Sequence, residues 1–259
     1  MRSDLTGQVA FVTGAAGGIG RGIVSRLAAN GASIVVADIN EQGARDVAAS
    51  LPDALAVAVD IRDPNSIDRA VSETIATYGR LDILVNNAGV NTLAHRVDVD
   101  AFPIEEWHRI VGIDLDGLFF MTRRALEPML AAGRGGRVIN MASVVGLTAM
   151  RLQSPFVAAK AGMVHLTRSM ALELGPKGIL ANAIAPGSIM TEATKALFYG
   201  SDGMFQAKTQ AFMEHIPLGR PGTPEEIGEA VLFLSAPESS YINGQILAVD
   251  GGWTAGYMM

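Results

Sequence analysis

Apolar residues along this chain fall into short, nearly unbroken runs separated by longer stretches of helical periodicity. The first run is Gln8-Val9-Ala10-Phe11-Val12-Thr13, and similar runs occupy residues 33–38, 54–60, 81–87, 136–141, 180–185 and 245–250. Runs this short and this continuously apolar predict strands buried on both faces. Between them the spacing predicts helices over residues 21–30, 41–50, 64–78, 104–132, 155–174 and 223–235. Their ends carry the expected punctuation. Gly31 stops the first, Pro64 and Pro155 sit in first turns, Gly175-Pro176 ends the 155–174 helix, and Thr223 caps the last. Pro128 predicts a kink or break near the end of the 104–132 helix. Residues 188–216 are weakly patterned, with Tyr199-Gly200-Ser201-Asp202-Gly203 in their middle.

Strand and helix therefore alternate, which predicts an α/β fold with a parallel sheet covered by helices on both faces. No linker or shift in composition divides residues 1–259, so one domain with about seven strands is expected. A TIM barrel also alternates, but only the Rossmann-like doubly wound open sheet needs a glycine cluster after its first strand. With 49% hydrophobic and 18% charged residues, the chain is not a disordered one. A net charge of -6 argues against a nucleic-acid partner. The absence of cysteine removes disulfides and thiolate metal sites, and fits a reducing compartment. No run of about 18 apolar residues predicts a membrane span, so a cytoplasmic protein is expected. The histidines His95, His108, His165 and His215 include no i,i+4 pair, and no metal site is expected.

The first strand leads into Gly14-Ala15-Ala16-Gly17-Gly18-Ile19-Gly20 and then a helix. That context suits a dinucleotide, because Gly14 permits a sharp turn and Gly18 and Gly20 permit close approach of a phosphate. Alone it fits a tight loop equally well. Asp38 ends the second strand, 18 residues beyond Gly20, where a carboxylate accepts ribose hydroxyls and repels a 2′-phosphate. Neither Ile39 nor Asn40 offers a cation, so NAD is expected over NADP. Asp60 ends the third strand and can face an adenine edge. Asn86-Asn87-Ala88-Gly89 ends the fourth. Farther on, Ser143 follows the fifth strand, and Phe156 and Lys160 lie one helical turn apart.

Thr13-Gly14-Ala15-Ala16-Gly17-Gly18-Ile19-Gly20, Asn86-Asn87-Ala88-Gly89, Ser143, Lys160 with the residue four before it, and Pro186-Gly187 together resemble the short-chain dehydrogenase/reductase family. The resemblance extends to Val249-Asp250-Gly251-Gly252 and so covers essentially the whole chain. It implies an oxidoreductase acting on a small alcohol or carbonyl compound. It implies a nicotinamide cofactor held by Gly14, Gly18, Ile19, Gly20, Asp38, Ile39, Asp60 and Ile61 on one side. Asn87, Ala88, Gly89, Lys160, Pro186, Gly187, Ile189 and Thr191 are implied on the other. In the family a serine, a tyrosine and a lysine carry the reaction, assisted by an asparagine. Ser143 and Lys160 match two of these. The tyrosine position is Phe156, and the asparagine position is Asp114.

Aspartate for asparagine keeps an acceptor that can pair with Lys160 through water. Phenylalanine for tyrosine deletes the proton-transfer atom, a loss of about 10²–10⁴ in rate for a general acid-base. Phe156 fits either a replacement in a working enzyme or a natural member with little turnover. The resemblance places the substrate pocket among three loops. These carry Asn91, His95 and Arg96, then Met150, Arg151, Gln153 and Ser154, and then residues 188–218, expected to form a lid. Their polar donors suggest a sugar, polyol or hydroxy acid; solvent- or subunit-facing roles remain the plain alternative. Two other functions remain open: a 3-oxoacyl reductase, disfavoured by Asp38, and a non-catalytic NAD-binding member. The apolar 155–174 helix, the last strand and the Met258-Met259 tail, with the resemblance, imply a homotetramer or homodimer.

Overall fold

A computed structural model describes residues 3–92, 95–192, 194–195 and 213–256. Residue 193 and residues 196–212 of the expected lid, and the terminal methionines, lie outside the described residues. Seven strands form one parallel sheet: β1 (Val9–Thr13), β2 (Ser33–Asp38), β3 (Ala54–Ala58), β4 (Ile83–Asn86), β5 (Gly136–Met141), β6 (Ile179–Pro186) and β7 (Ile246–Val249). Their order is β3-β2-β1-β4-β5-β6-β7. Strand order reverses between β1 and β4, so a crevice opens there beyond the carboxyl ends of the strands.

The helices are α1 (Gly18–Ala28), α2 (Glu41–Ala49), α3 (Pro64–Tyr78), α4 (Ile104–Val111), α5 (Leu118–Ala132), α6 (Ser154–Leu174) and α7 (Pro224–Ser235). Side chains alternate across each strand, and the two sets build two cores. Val9, Phe11 and Leu84 pack with Ile67, Met121 and Val164 of α3, α5 and α6. Ala10, Val12, Ile83 and Val85 pack with Ile23, Leu27, Val47 and Val231 of α1, α2 and α7. Burial on both faces is why these strands read as continuous apolar runs.

Several boundaries move. The first helix begins at Gly18, inside the glycine cluster. The third strand stops at Ala58, so Asp60 stands two residues past it rather than ending it. The long 104–132 helix is interrupted, but not at Pro128. Residues Gly112–Gly117 wind as a π-helix between α4 and α5, while Pro128 stays inside α5. A π-turn inserts extra backbone per turn and shifts the facing of every residue after it, and such turns concentrate at functional sites.

Candidate active site

A cavity of about 1230 Å³ lies over the crevice. Gly14, Gly18, Ile19, Gly20, Asp38, Ile39, Asp60, Ile61, Asn87, Ala88 and Gly89 line one part of it. Asp114, Ser143, Phe156, Lys160, Pro186, Gly187, Ile189 and Thr191 line the rest, with Asn91, Arg96 and Gln153. The fold thus gathers onto one surface residues that are far apart in the chain.

Two glycines of the turn, Gly14 and Gly20, have no room for a side chain. A Cβ on Gly20 would sit 2.1 Å from the Gly14 carbonyl oxygen, and one on Gly14 would sit 2.8 Å from the Ala88 Cα. Gly14 also has φ +63°, a left-handed conformation that glycine adopts without strain. The Asn87 amide donates to the Thr13 and Gly14 carbonyls, both at 2.9 Å, so β4 is stitched to the turn after β1. The Thr13 hydroxyl accepts from the Asn87 and Ala88 N–H groups at 3.0 Å. Asp38 is held by two backbone donors, Ala16 N–H at 3.0 Å and Asn40 N–H at 2.9 Å. A bare backbone turn at a helix start, faced by a fixed carboxylate, fits the pyrophosphate and ribose of the dinucleotide that the resemblance implies. Asp60 also lines this part, but its carboxylate is engaged by Arg62, which holds its pKa below the ordinary range.

At the other end, Ser143 follows β5 in an extended conformation, and its Oγ accepts from Val145 N–H at 3.3 Å. Lys160 is buried on α6. Its Nζ donates to the Met141 carbonyl at 3.0 Å and faces Asp114 Oδ2 at 3.1 Å. The contact with Asp114 is direct, correcting the expectation of a bridging water. Asp114 is fully buried on the π-helical turn, and its Oδ1 accepts from Val90 N–H at 2.7 Å. One carboxylate therefore anchors both the lysine and the backbone after β4. The Phe156 ring lies 5.5 Å from Lys160 Nζ, the distance of a cation–π contact.

Three residues expected at the substrate end are elsewhere. His95, Arg151 and Ser154 are not on the cavity lining. The Arg151 guanidinium is 84% exposed and reaches Asp98 at 3.3 Å. The neighbouring Gln153 is buried on the cavity wall. Leu152, with φ 63°, reverses the backbone between them and sends the two side chains opposite ways. Arg109 of α4 and Trp253 line the cavity and were not foreseen, whereas Glu192 belongs to the expected 188–218 segment. Arg109 sits in the first predicted half of the broken helix, where no local signal marks it.

A buried polar chain also escaped the sequence. The Asn86 amide donates to Thr122 Oγ1 at 2.8 Å and to Asn140 Oδ1 at 2.9 Å, and the Asn140 amide donates to Thr167 Oγ1 at 2.9 Å. It ties β4 and β5 to α5 and α6 beneath the site. Among the described residues no group of three potential ligands could hold a metal ion. No helix there is long and apolar enough to cross a membrane.

Known proteins resemble this chain in sequence and in architecture. A family described as enoyl-(acyl carrier protein) reductase matches residues 14–254. The 3-oxoacyl-(acyl-carrier-protein) reductase of Chlamydia muridarum is 37% identical, over 97% of this chain and 99% of its own. The sorbitol dehydrogenase of Cereibacter sphaeroides is 39% identical, over 96% and 98%. A solved short-chain type dehydrogenase/reductase from Mycobacterium marinum superposes with a TM-score of 0.89 at 33% identity, covering 98% of both chains. Sequence, sheet order and glycine cradle agree, and the chain belongs to the short-chain dehydrogenase/reductase family of oxidoreductases.

Proposed function

We propose that the chain binds NAD in preference to NADP, together with a secondary alcohol or its carbonyl form, of the sugar, polyol or hydroxy-acid classes. Turnover is held low by Phe156. Members of the family bind NAD(P) and act on alcohols and ketones. The preference for NAD is supported by Asp38, whose charge faces the cavity and opposes a 2′-phosphate. Arg62, beyond the adjacent strand, is already paired with Asp60 at 2.6 Å.

The observation that carries the reading is the gathering of Ser143, Lys160 and the glycine turn around a ring that has no hydroxyl. The bound nicotinamide supplies the hydride acceptor or donor. Ser143 Oγ offers a hydrogen bond to the substrate oxygen. Lys160 has three N–H groups. One donates to Met141 O, and the ammonium is paired by charge with Asp114 Oδ2 at 3.1 Å. No tyrosine among the described residues lines the cavity to replace the missing hydroxyl. Tyr78, the last residue of α3, bonds Asp53 with its pKa pushed up to about 12, chiefly by burial, and Tyr241 is fully exposed.

The test is Phe156→Tyr with NAD⁺ and a panel of sugars, polyols and hydroxy acids, following NADH absorbance. A gain of about 10²–10⁴ in kcat is expected. If the variant binds NADH but turns over nothing in the panel, the chain is a binding-only member and the dehydrogenase reading fails.

The same reading includes self-association as a homodimer or homotetramer. Ile104 and Trp107 of α4 and Phe119 and Phe120 of α5 remain exposed, as does Leu172 of α6. Sedimentation of a monomer at micromolar concentration would remove it.

A further inference from the structure

Asp114 and Phe156 are the two positions at which this chain departs from the catalytic pattern it resembles, and Lys160 touches both. Its Nζ lies 3.1 Å from Asp114 Oδ2 and 5.5 Å from the centre of the Phe156 ring. Asp114 is fully covered, and Gly89 passes so close that a Cβ there would sit 3.1 Å from Oδ2. Oδ1 accepts from Val90 N–H at 2.7 Å. Oδ2 accepts no hydrogen bond, so the ammonium is what meets its charge. With so little solvent to screen them, the two charges act on each other at low local dielectric.

The surrounding charges are met elsewhere or stand off. Arg109 of α4 feels Asp114, but its pKa is raised first by its hydrogen bond to Glu106 and only lastly by Asp114. Glu106 grips it at 2.6 and 2.8 Å. Glu105 and His108 of α4, Asp116 of the π-turn, and His165 and Arg168 of α6 are exposed and off the cavity lining. Strand β6 and the turn Val144–Gly146, also packed on α6, carry no charge, and Lys177 follows the far end of that helix. Across the cavity stand Asp38, Arg96, Glu192 and the Asp60–Arg62 pair.

An ammonium facing a phenol favours the phenolate and lowers its pKa by about 1–3 units. An ammonium with a carboxylate 3.1 Å away does so far less, because the field of a close pair of opposite charges falls off faster than that of a lone charge. We propose that Asp114 is a positioning residue that holds Lys160 in place and cancels its charge toward residue 156, so that the lysine tethers and does not acidify. Asp114→Asn keeps an acceptor for Val90 N–H and leaves the ammonium uncancelled. The inference rests on the dehydrogenase reading of the site and adds a condition to it. After Phe156→Tyr, alcohol oxidation should climb toward alkaline pH, and Asp114→Asn should move that climb toward neutrality.

The experiment is an ultraviolet difference titration of the phenol introduced by Phe156→Tyr, with the otherwise identical Phe156 protein as blank so that the chain's own tyrosines cancel. Adding Asp114→Asn should lower the pKa of that phenol by about one to two units. Asp114→Asn leaves a buried ammonium without its partner and can unfold the chain, so a second variant removes the pair whole. Lys160→Met with Asp114→Asn in the same background should move the phenol by less than about half a unit, since a cancelled pair has little to give up. Equal values with and without Asp114→Asn overturn the inference. So does a rise of about one unit or more when the pair is removed, the mark of a lysine that acidifies. The titration uses neither cofactor nor substrate. A silent alcohol panel therefore overturns the dehydrogenase reading alone, whereas either of these two titration results overturns this inference alone.

Discussion

Asp114 Oδ2 lies 3.1 Å from Lys160 Nζ, with the two side chains 0% and 6% exposed. The pair joins the π-helical turn to α6 at the floor of the cavity. Both side chains are almost wholly covered by protein, so each charge leans on the other. Lys160→Met should strand the Asp114 carboxylate and lower the unfolding free energy by about 3–5 kcal/mol. Adding Asp114→Asn should recover part of that loss, since the buried charge goes and an acceptor for Val90 N–H stays. Urea unfolding of both proteins decides it; equal midpoints would show that the pair does not govern stability.

Asp38 does two jobs, fixing the backbone of Ala16 and Asn40 and presenting negative charge to the cavity. Asp38→Ala should weaken NADH binding about ten- to a hundredfold, the scale of a lost charge-assisted hydrogen bond. NADPH should lose less, because the repulsion of its 2′-phosphate also disappears. Fluorescence titration with both nucleotides measures the ratio, and an unchanged ratio would deny Asp38 its selective role.

The glycines of the turn are not equivalent. A Cβ on Gly20 meets the Gly14 carbonyl at 2.1 Å, whereas one on Gly17 meets nothing within 4 Å. Gly20→Ala should cost about 1–3 kcal/mol or more by overpacking, and should abolish dinucleotide binding. Gly17→Ala should stay within about 0.5 kcal/mol of the parent. Thermal unfolding of the two variants side by side tests the contrast.

At the start of α7, Thr223 Oγ1 accepts from Glu226 N–H at 3.3 Å, and the Glu226 carboxylate accepts from Thr223 N–H at 2.9 Å. Arg220 first, and the Thr223 N–H second, hold the Glu226 pKa below its ordinary value of 4.5. Its charged form is favoured in the folded state. The stability it adds is therefore present above about pH 4.5 and lost as pH falls through the lowered folded value. Thr223→Ala should cost about 1 kcal/mol at neutral pH. Glu226→Gln should flatten the acid limb of a plot of Tm against pH. An acid limb identical to the parent's would assign the loss to other carboxylates.

Much of the fold was legible locally. Val9 to Thr13 and Ser33 to Asp38 read as strands because a parallel strand covered on both faces has no polar alternation. Gly14, Gly18 and Gly20 read as a turn because their spacing after such a strand has few other uses. Thr223 and Glu226 announced a helix start through a four-residue pattern. In each case the physical cause lies within a few residues, so the chain itself carries the information.

The candidate site was legible as a set of residues but not as an arrangement. Asp114 and Lys160 are 46 positions apart, and only the π-turn after α4 places the carboxylate against the ammonium. Leu152 sends Gln153 inward and Arg151 to Asp98, a choice made by one backbone angle that residue type does not favour. The Asn86–Asn140–Thr167 chain is likewise a property of who faces whom. Periodicity and punctuation are short-range effects and survive in the linear pattern. Charge compensation and hydrogen-bond satisfaction are sums over neighbours, and neighbours exist only once the sheet has brought distant segments together.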